Sequence, residues 1–526
     1  MRARKGLVVG IAILGLTFVL LRACSALPTL DGRGTSAAYT DTAATRLGRA
    51  VAPLTSPHPR LAGIHPVRDA RDAFAVRYML AGAAERTLDV QYYIWRNDMS
   101  GTLLFKALHD AANRGVRVRL LLDDNNTVGL DPTLAALDAH PKIEVRLFNP
   151  FVIRKPRLLG LLTHFSRLNR RMHNKSFTAD NQVTVIGGRN VGDEYFGATD
   201  GVLFADLDVI AIGPVVHEVS QDFDRYWASD SSYPADRLLP PATADAIAGV
   251  ASHASEVERN PAAVAYLDAL RRSTFVQRLV RAELPLEWAA TRMISDDPAK
   301  GLGREGEGDL LQQKLRAIFG TPATHLDLVS PYFVPATDGT ALLSGWARNG
   351  VRLRVLTNSL EATDVAAVHA GYARRRRALL AAGVTLYELR SGSGIPSTKS
   401  VRATGSTGSS SGSTSSSGSS LHAKTFAVDR SRFFVGSFNF DPRSAELNTE
   451  MGFVIDSPAL ARQMQSLFDD GIPANAYEVR MTGDGELYWL ERTAGATRRH
   501  DVEPGTTFWQ RTAVGIMSRL PIEWLL

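Results

Sequence analysis

The 526-residue sequence predicts an α/β protein built from two pseudo-symmetric halves, each a mixed sheet flanked by helices, sharing one active site. Three observations carry that expectation. Strand-like and helix-like segments alternate from about Val67 onward, the same alternation returns in the second half of the chain, and one short polar motif occurs once in each half.

The alternation is regular. Residues 66–85 have the spacing of an amphipathic helix, Thr87 to Trp95 reads as a strand, and Gly101 to Asn113 as a helix. Val116 to Leu122 then forms an apolar run ending in Asp123-Asp124-Asn125-Asn126. Strand, helix and a buried-looking strand in succession make a βαβ unit, since parallel strands need a long crossover. "RTLDVQYYIW" and "NRGVRVRLLLDDNN" are echoed by "THLDLVSPYF" and "RNGVRLRVLTNS"; Gly101 lies 238 residues before Gly339, and Gly115 lies 235 before Gly350. A period this long indicates duplicated domains rather than a solenoid. The expected boundaries are a first domain over 61–230, a helical connector over 231–285, a second domain over 286–470 and a C-terminal extension over 471–526. Between Ser391 and Ser420, 24 of 30 residues are Ser, Gly or Thr, too little apolar surface to order a segment, so a flexible loop is expected there.

The composition excludes several classes. With 44% hydrophobic and 22% charged residues the chain is neither disordered nor collagen-like. A single cysteine, Cys24, rules out an intramolecular disulfide and a thiolate metal cluster. Sixty basic against 54 acidic side chains give a net charge of +6, which favours an anionic partner such as phosphate, a membrane surface or nucleic acid. The N-terminus reads as a signal or anchor segment over 1–24: Arg2, Arg4 and Lys5 precede an apolar run from Leu7 to Leu21, and Leu21-Arg22-Ala23-Cys24 resembles a lipoprotein box with Cys24 as the lipidated residue. An uncleaved membrane anchor and a cytosolic chain with an apolar N-terminus are the alternatives; in the first two cases the body lies outside the cytoplasm. Residues 25–60, rich in Ala, Thr, Pro and Gly, read as a linker.

The repeated motif carries the chemistry. The first copy is His173-Asn174-Lys175, Asp180 and Gly187-Gly188-Arg189-Asn190; the second is His422-Ala423-Lys424, Asp429 and Gly436-Ser437-Phe438-Asn439, every motif position displaced by 249. The flanks "NKSFTAD" and "AKTFAVD" alternate as strands, so His and Lys, two residues apart, share a face. The Asp falls at the turn of a hairpin, and Asn190 and Asn439 follow its second strand. This grouping suits a phosphodiester. Lys175 and Lys424 supply positive charge and the two asparagines neutral donors for non-bridging oxygens. One neutral imidazole can attack phosphorus while a second, protonated one donates to the leaving oxygen. Such a histidine needs a carboxylate on its other ring nitrogen. Asp206 and Glu450 stand at matching places seven residues before Gly213-Pro214 and Ser457-Pro458, which pairs Asp206 with His173 and Glu450 with His422. No acidic or His/Asp cluster has metal-ligand spacing, so neither metal nor cofactor is expected.

The doubled motif resembles the phospholipase D superfamily. "LDVQYYIW", "FSRLNRRMHNKSF", "GGRN", "NSLEATDVAAVHAGYARRR", "SLHAKTF" and "FNFDPRSAELNTEMGFVI" resemble its bacterial cardiolipin synthase C branch, from about Asp69 to Leu526. The resemblance implies one pseudo-symmetric site, a phosphohistidine intermediate on His173, and His422 as acid and then base, with Lys175, Asp180, Lys424 and Asp429 completing the catalytic set. It also implies transfer of a phosphatidyl group, with phosphatidylethanolamine as donor, to phosphatidylglycerol. A phospholipase D-type hydrolase uses the same motifs with water as acceptor, and a non-enzymatic binding protein is the third reading. The expected partners are phospholipid substrates and a membrane surface rather than nucleic acid, for which no basic groove with interleaved aromatics is evident.

Weaker signals divide between function and packing. Phe151 to Met172 mixes apolar residues with six basic ones and runs into His173, as a membrane-docking segment would. Phe508 to Leu526, with Trp509 and Trp524, suits either lipid contact or packing onto the body. Asp123 to Asn126 suits a ligand contact or a turn, and the Gly301-x-Gly303-x-x-Gly306 fingerprint lacks the preceding strand that nucleotide binding requires.

Overall fold

The computed structural model describes residues 15–16, 26–199, 203–304, 306, 308–392, 419–493, 495–521, 523 and 526. Cys24 and nearly all of the signal-like segment lie outside the described residues, as do 393–418 of the Ser/Gly run.

The first half carries β1 (Ala62–Val67), β2 (Thr87–Tyr92), β3 (Arg117–Asp123), β4 (Ile143–Phe148), β5 (Ser176–Ala179), β6 (Val183–Gly187), β7 (Leu203–Ala205), β8 (Asp208–Ile212) and β9 (Ser232–Pro234). The second carries β10 (Glu287–Ser295), β11 (His325–Val329), β12 (Arg352–Asn358), β13 (Thr385–Leu389), β14 (Ser419–Leu421), β15 (Thr425–Val428), β16 (Arg432–Gly436), β17 (Met451–Asp456), β18 (Ala476–Met481), β19 (Leu487–Thr493) and β20 (Ala496–His500). Pairing runs β9-β4-β3-β2-β5-β6-β8-β1 in the first half and β10-β17-β16-β15-β11-β12-β13-β18-β19-β20 in the second. An antiparallel β1–β10 pair joins them into one 18-stranded sheet. The parallel trio β2-β3-β4 matches β11-β12-β13, and the hairpin β5-β6 matches β15-β16.

The duplication extends to buried charge. Arg119 forks onto Asp89 at 2.7 and 2.9 Å, and Arg354 onto Asp327 at 2.6 and 2.8 Å, each pair bridging the first two parallel strands. Bidentate geometry of this kind is what makes a buried pair tolerable. Each half has its own apolar core, and a third cluster spans both, with Ile64, Ile186 and Val209 meeting Ala289, Val435 and Phe453. The halves are therefore one body.

Three expectations need correction. Residues 26–60 are not a free linker. Their first part is a strap held by guanidinium groups: Arg119 donates to the Ser36 carbonyl, Arg146 to Gly34 and Arg117 to Ala37, and Arg33 reaches back to Ser229 and Ser232. A helix, Arg46–Thr55, follows. The Ser/Gly run is not loop to its end, because Ser419 and Ser420 enter β14, which pairs in parallel with β7 of the other half. The segment after 470 is partly integral to the sheet, since β18 pairs with β13 as β9 does with β4. Beyond it the helix Phe508–Met517 rests on the helix Ala366–Ala373 through Val514 and Ala370, leaving Phe508 and Trp509 exposed.

Candidate active site

His173 leads into β5 and His422 into β15, and both line one cavity of about 660 Å³ between the halves. Each histidine is held by the opposite half. The His173 N–H donates to the Thr449 carbonyl at 2.9 Å, and its Nδ1 lies 2.8 and 3.0 Å from the Glu450 oxygens. Reciprocally, the His422 N–H donates to the Ala205 carbonyl at 2.8 Å, and its Nδ1 lies 2.6 Å from Asp206 Oδ2.

The pairing expected from position is thus reversed: Glu450 serves His173 and Asp206 serves His422. The reason is local. A Cβ on Gly188 would stand 2.1 Å from Asp206 Oδ1, so the bare backbone lets that carboxylate cross its own hairpin and leave the first half. At the matching position Ser437 donates its hydroxyl to Glu450 Oε2 at 2.5 Å. With Nδ1 tied to a carboxylate, each ring presents Nε2 as the nitrogen for chemistry.

Lys175 and Lys424 are buried directly behind the histidines. Lys175 Nζ donates to the His173 carbonyl at 2.5 Å, and Lys424 Nζ donates to the His422 carbonyl and lies 3.0 Å from its Nδ1. Asn190 lines the cavity, but its Oδ1 accepts from the Ile94 N–H and its Nδ2 donates to the Tyr195 hydroxyl, so one amide hydrogen is already engaged. Asn439 lines the cavity as well, and its buried Oδ1 has no partner among the described residues.

Asp180 and Asp429 are corrected. Both close the hairpin turn with positive φ, at the far end of a strand from their histidines, roughly 20 Å away along an extended chain. The Asp180 carboxylate accepts the backbone N–H groups of Glu85, Arg86 and Thr87, and Asp429 those of Ala323, Thr324 and His325. They fasten each hairpin to the start of the neighbouring strand, β2 or β11, and do not touch the imidazoles.

Charge in the site is unevenly spread. Burial, then the two lysines, hold His173 well below the ordinary imidazole value. Burial and Lys424 push His422 down to about 4, against the pull of Asp206. Burial brings Lys175 to about 7 and Lys424 to about 8. The two carboxylates differ. Burial raises Glu450 to about 7, whereas at Asp206 burial is outweighed by His422, Lys424 and Arg189, which keep it ionised. A phosphodiester anion between the histidines would favour the charged form of both lysines and of a protonated histidine.

Several contributors carry no motif signal. Tyr93 sets its ring edge-on to His173 at 4.9 Å and Tyr195 to His422 at 5.2 Å. The Glu450 N–H donates to Asp296, which is paired with buried Lys300 at 3.0 Å. Asp123 accepts the Met172 N–H at 2.8 Å and pairs with Arg171, so it anchors the approach to His173. Gly301 of the glycine fingerprint is packed against Phe148. Among the described residues no group of three or more His, Cys, Asp or Glu could hold a metal ion, and no helix is long and apolar enough to cross a membrane.

Duplicated α/β domains that exchange histidine-bound carboxylates across a single cavity define a two-histidine, phospholipase D-like class. The chain belongs to the family described as cardiolipin synthase, PLD-like domain, whose model matches residues 79–227 and 315–471. It is 52% identical over 485 residues to cardiolipin synthase C of Escherichia coli (strain K12), covering 91% of this chain and 100% of that one. It is 23% identical to cardiolipin synthase B of Shigella flexneri over 80% of this chain and 82% of the relative. The fold resembles the crystal structure of phosphatidylserine synthase from Haemophilus influenzae Rd KW20, with a TM-score of 0.57 at 12% identity, over 92% of this chain and 100% of that one.

Proposed function

We propose that the chain makes cardiolipin by phosphatidyl transfer to phosphatidylglycerol through a covalent adduct on His173. The observation that supports this reading best is the crossed pair of histidine–carboxylate contacts opening into one cavity. Neutral His173, backed by a carboxyl group of raised pKa, suits the nucleophile. His422, neutral without substrate at about 4, is backed by an ionised carboxylate and becomes the acid once the phosphodiester anion beside it raises its proton affinity. In the first step His173 Nε2 bonds to phosphorus, the bond to the headgroup oxygen breaks, and His422 gives that oxygen its proton. In the second, the glycerol hydroxyl of phosphatidylglycerol attacks, His422 takes its proton, and the P–N bond breaks. Phosphatidylethanolamine is the donor we assign.

Exposed apolar side chains support access from a bilayer. Leu158, Leu162 and Phe165 on the helix Leu158–Leu168 are exposed, as are Phe508, Trp509 and Ile516 on the helix Phe508–Met517. Arg443, on the cavity wall, binds Asn169 at the end of the first helix and donates its N–H to the Leu526 carbonyl beyond the second. Both helices thus flank the mouth. The exposed helices support a membrane-associated body, and the signal-like N-terminus with Cys24 supports assigning it to the periplasmic side of a bacterial membrane.

The test is a mass-spectrometric product assay in liposomes of phosphatidylglycerol, of phosphatidylethanolamine, and of both. Cardiolipin and free ethanolamine are expected only from the mixture, and neither from His173→Ala or His422→Ala. Phosphatidic acid without cardiolipin would make water the acceptor and refute the transfer.

A further inference from the structure

The second half contains a cavity that its twin fills with its own side chains. An apolar space of about 370 Å³ lies between the helix Leu311–Phe319, the helix Ala336–Arg348 and the stretch Phe438–Pro442. At the matching place in the first half stands Phe196, fully buried, its ring 5.5 Å from Phe74, which in turn meets Tyr266 of the connector at 5.3 Å. The 249-residue displacement puts Ala445 where Phe196 stands, and Ala445 lines the cavity.

The walls include Leu315, Phe319, Leu342, Trp346 and Phe426, while the charged Arg316, Asp338 and Glu446 are exposed on the rim. Protein interiors are otherwise close-packed, and an apolar space of this size favours an apolar guest over water. Its far wall is one backbone thick. Along the extended stretch after β16, Phe438 and Phe440 face the apolar space while Asn439 faces the catalytic cavity, and Asp441 lines both.

We propose that this cavity receives one acyl chain of the phospholipid whose phosphate lies between His173 and His422. The inference rests on the proposed phosphatidyl transfer. It follows from what that substrate is: a phosphate with apolar chains a glycerol's length away, matched by a polar and an apolar space separated by a single strand. The chain would thread past Asp441, and the first half, filled by Phe196, would offer no second such pocket.

Two arms test it. In the first, with phosphatidylglycerol held constant as acceptor, kcat/KM is compared for long-chain and dihexanoyl phosphatidylethanolamine with the unaltered enzyme, Ala445→Phe and Leu342→Trp. Each substitution should lower the long-to-short ratio about tenfold, the effect of about two methylenes kept from burial. An unchanged ratio in both variants, each melting like the parent, overturns the proposal. In the second, phosphatidylethanolamine bearing a diazirine at the chain terminus is photolysed on the full-length enzyme and the label mapped. Label on 312–346 and 438–446 supports the pocket, whether or not cardiolipin forms, so a failure of transfer is read separately. Label confined to the exposed helices or to residues 7–21, with those peptides bare, overturns it.

Discussion

Replacing Asp206 and Glu450 by their amides should have very unequal effects, although the two residues occupy matching places. Asp206 is held ionised 2.6 Å from His422 Nδ1, so Asp206→Asn removes a full charge from behind the acid. With charge centres about 5 Å apart and an effective dielectric near 20, that charge is worth about 3 kcal/mol to the imidazolium. The bonded range for charged groups, about 1.5–3 kcal/mol, agrees. Turnover should therefore fall roughly 10- to 150-fold. Glu450, raised to about 7 by burial, is mostly neutral at pH 6, where Glu450→Gln removes no charge and keeps an acceptor for His173 Nδ1. The expected loss there is only a few-fold, growing to about tenfold at pH 8 as the parent carboxyl ionises and the amide does not. The assay is cardiolipin formation by mass spectrometry at pH 6 and 8, with histidine ¹⁵N spectra to show which ring each substitution perturbs. Equal losses in both variants at pH 6 would refute the charge argument. A His173 resonance moved by Asp206→Asn, with His422 unmoved, would refute the crossed pairing.

Other outcomes follow from the same geometry. Asp180→Ala leaves three backbone N–H groups in and near the core without an acceptor and should destabilise the protein by roughly 3–5 kcal/mol in urea unfolding. Asp429→Ala, whose partners are nearer solvent, should cost less than half of that, and both variants should keep kcat while folded. Because burial lowers Lys175 to about 7 and Lys424 to about 8, tungstate binding at pH 8 should take up protons, read by calorimetry in buffers of different ionisation enthalpy. Its affinity should fall as pH rises from 7 to 9, while the lysines lose charge. Leu162→Asp combined with Trp509→Asp should cut sedimentation with anionic vesicles at least tenfold and leave turnover of dihexanoyl lipid in solution intact.

Much of this was legible in the sequence because repetition and period-2 alternation are one-dimensional signals. The β2-β3 pair and its copy β11-β12, both hairpins, and the convergence of His173 and His422 all follow from them. The direction of the carboxylates did not follow, because matched positions in a repeat look the same whether they serve their own half or the other. The missing side chain at Gly188 was the available clue. The strap over 26–45 was illegible for another reason: Arg119, Arg146 and Arg117 bind its carbonyl oxygens, which every residue possesses. Ser419 and Ser420 misled similarly, since β14 is made by backbone pairing and needs no apolar side chain. Asp180 and Asp429 were visible as turn residues, and only their place in a conspicuous motif suggested chemistry.

The exchange of carboxylates also sets when reactivity arises during synthesis. A nascent chain that has emerged through His173 still lacks the group that fixes its imidazole, which arrives only with Glu450, 277 residues later. His422 arrives to find Asp206 waiting, but its partner nucleophile remains unoriented until those last strands dock. A ribosome-bound chain that lacks its last strands is thus chemically quiet. Activity switches on once, with completion of the fold.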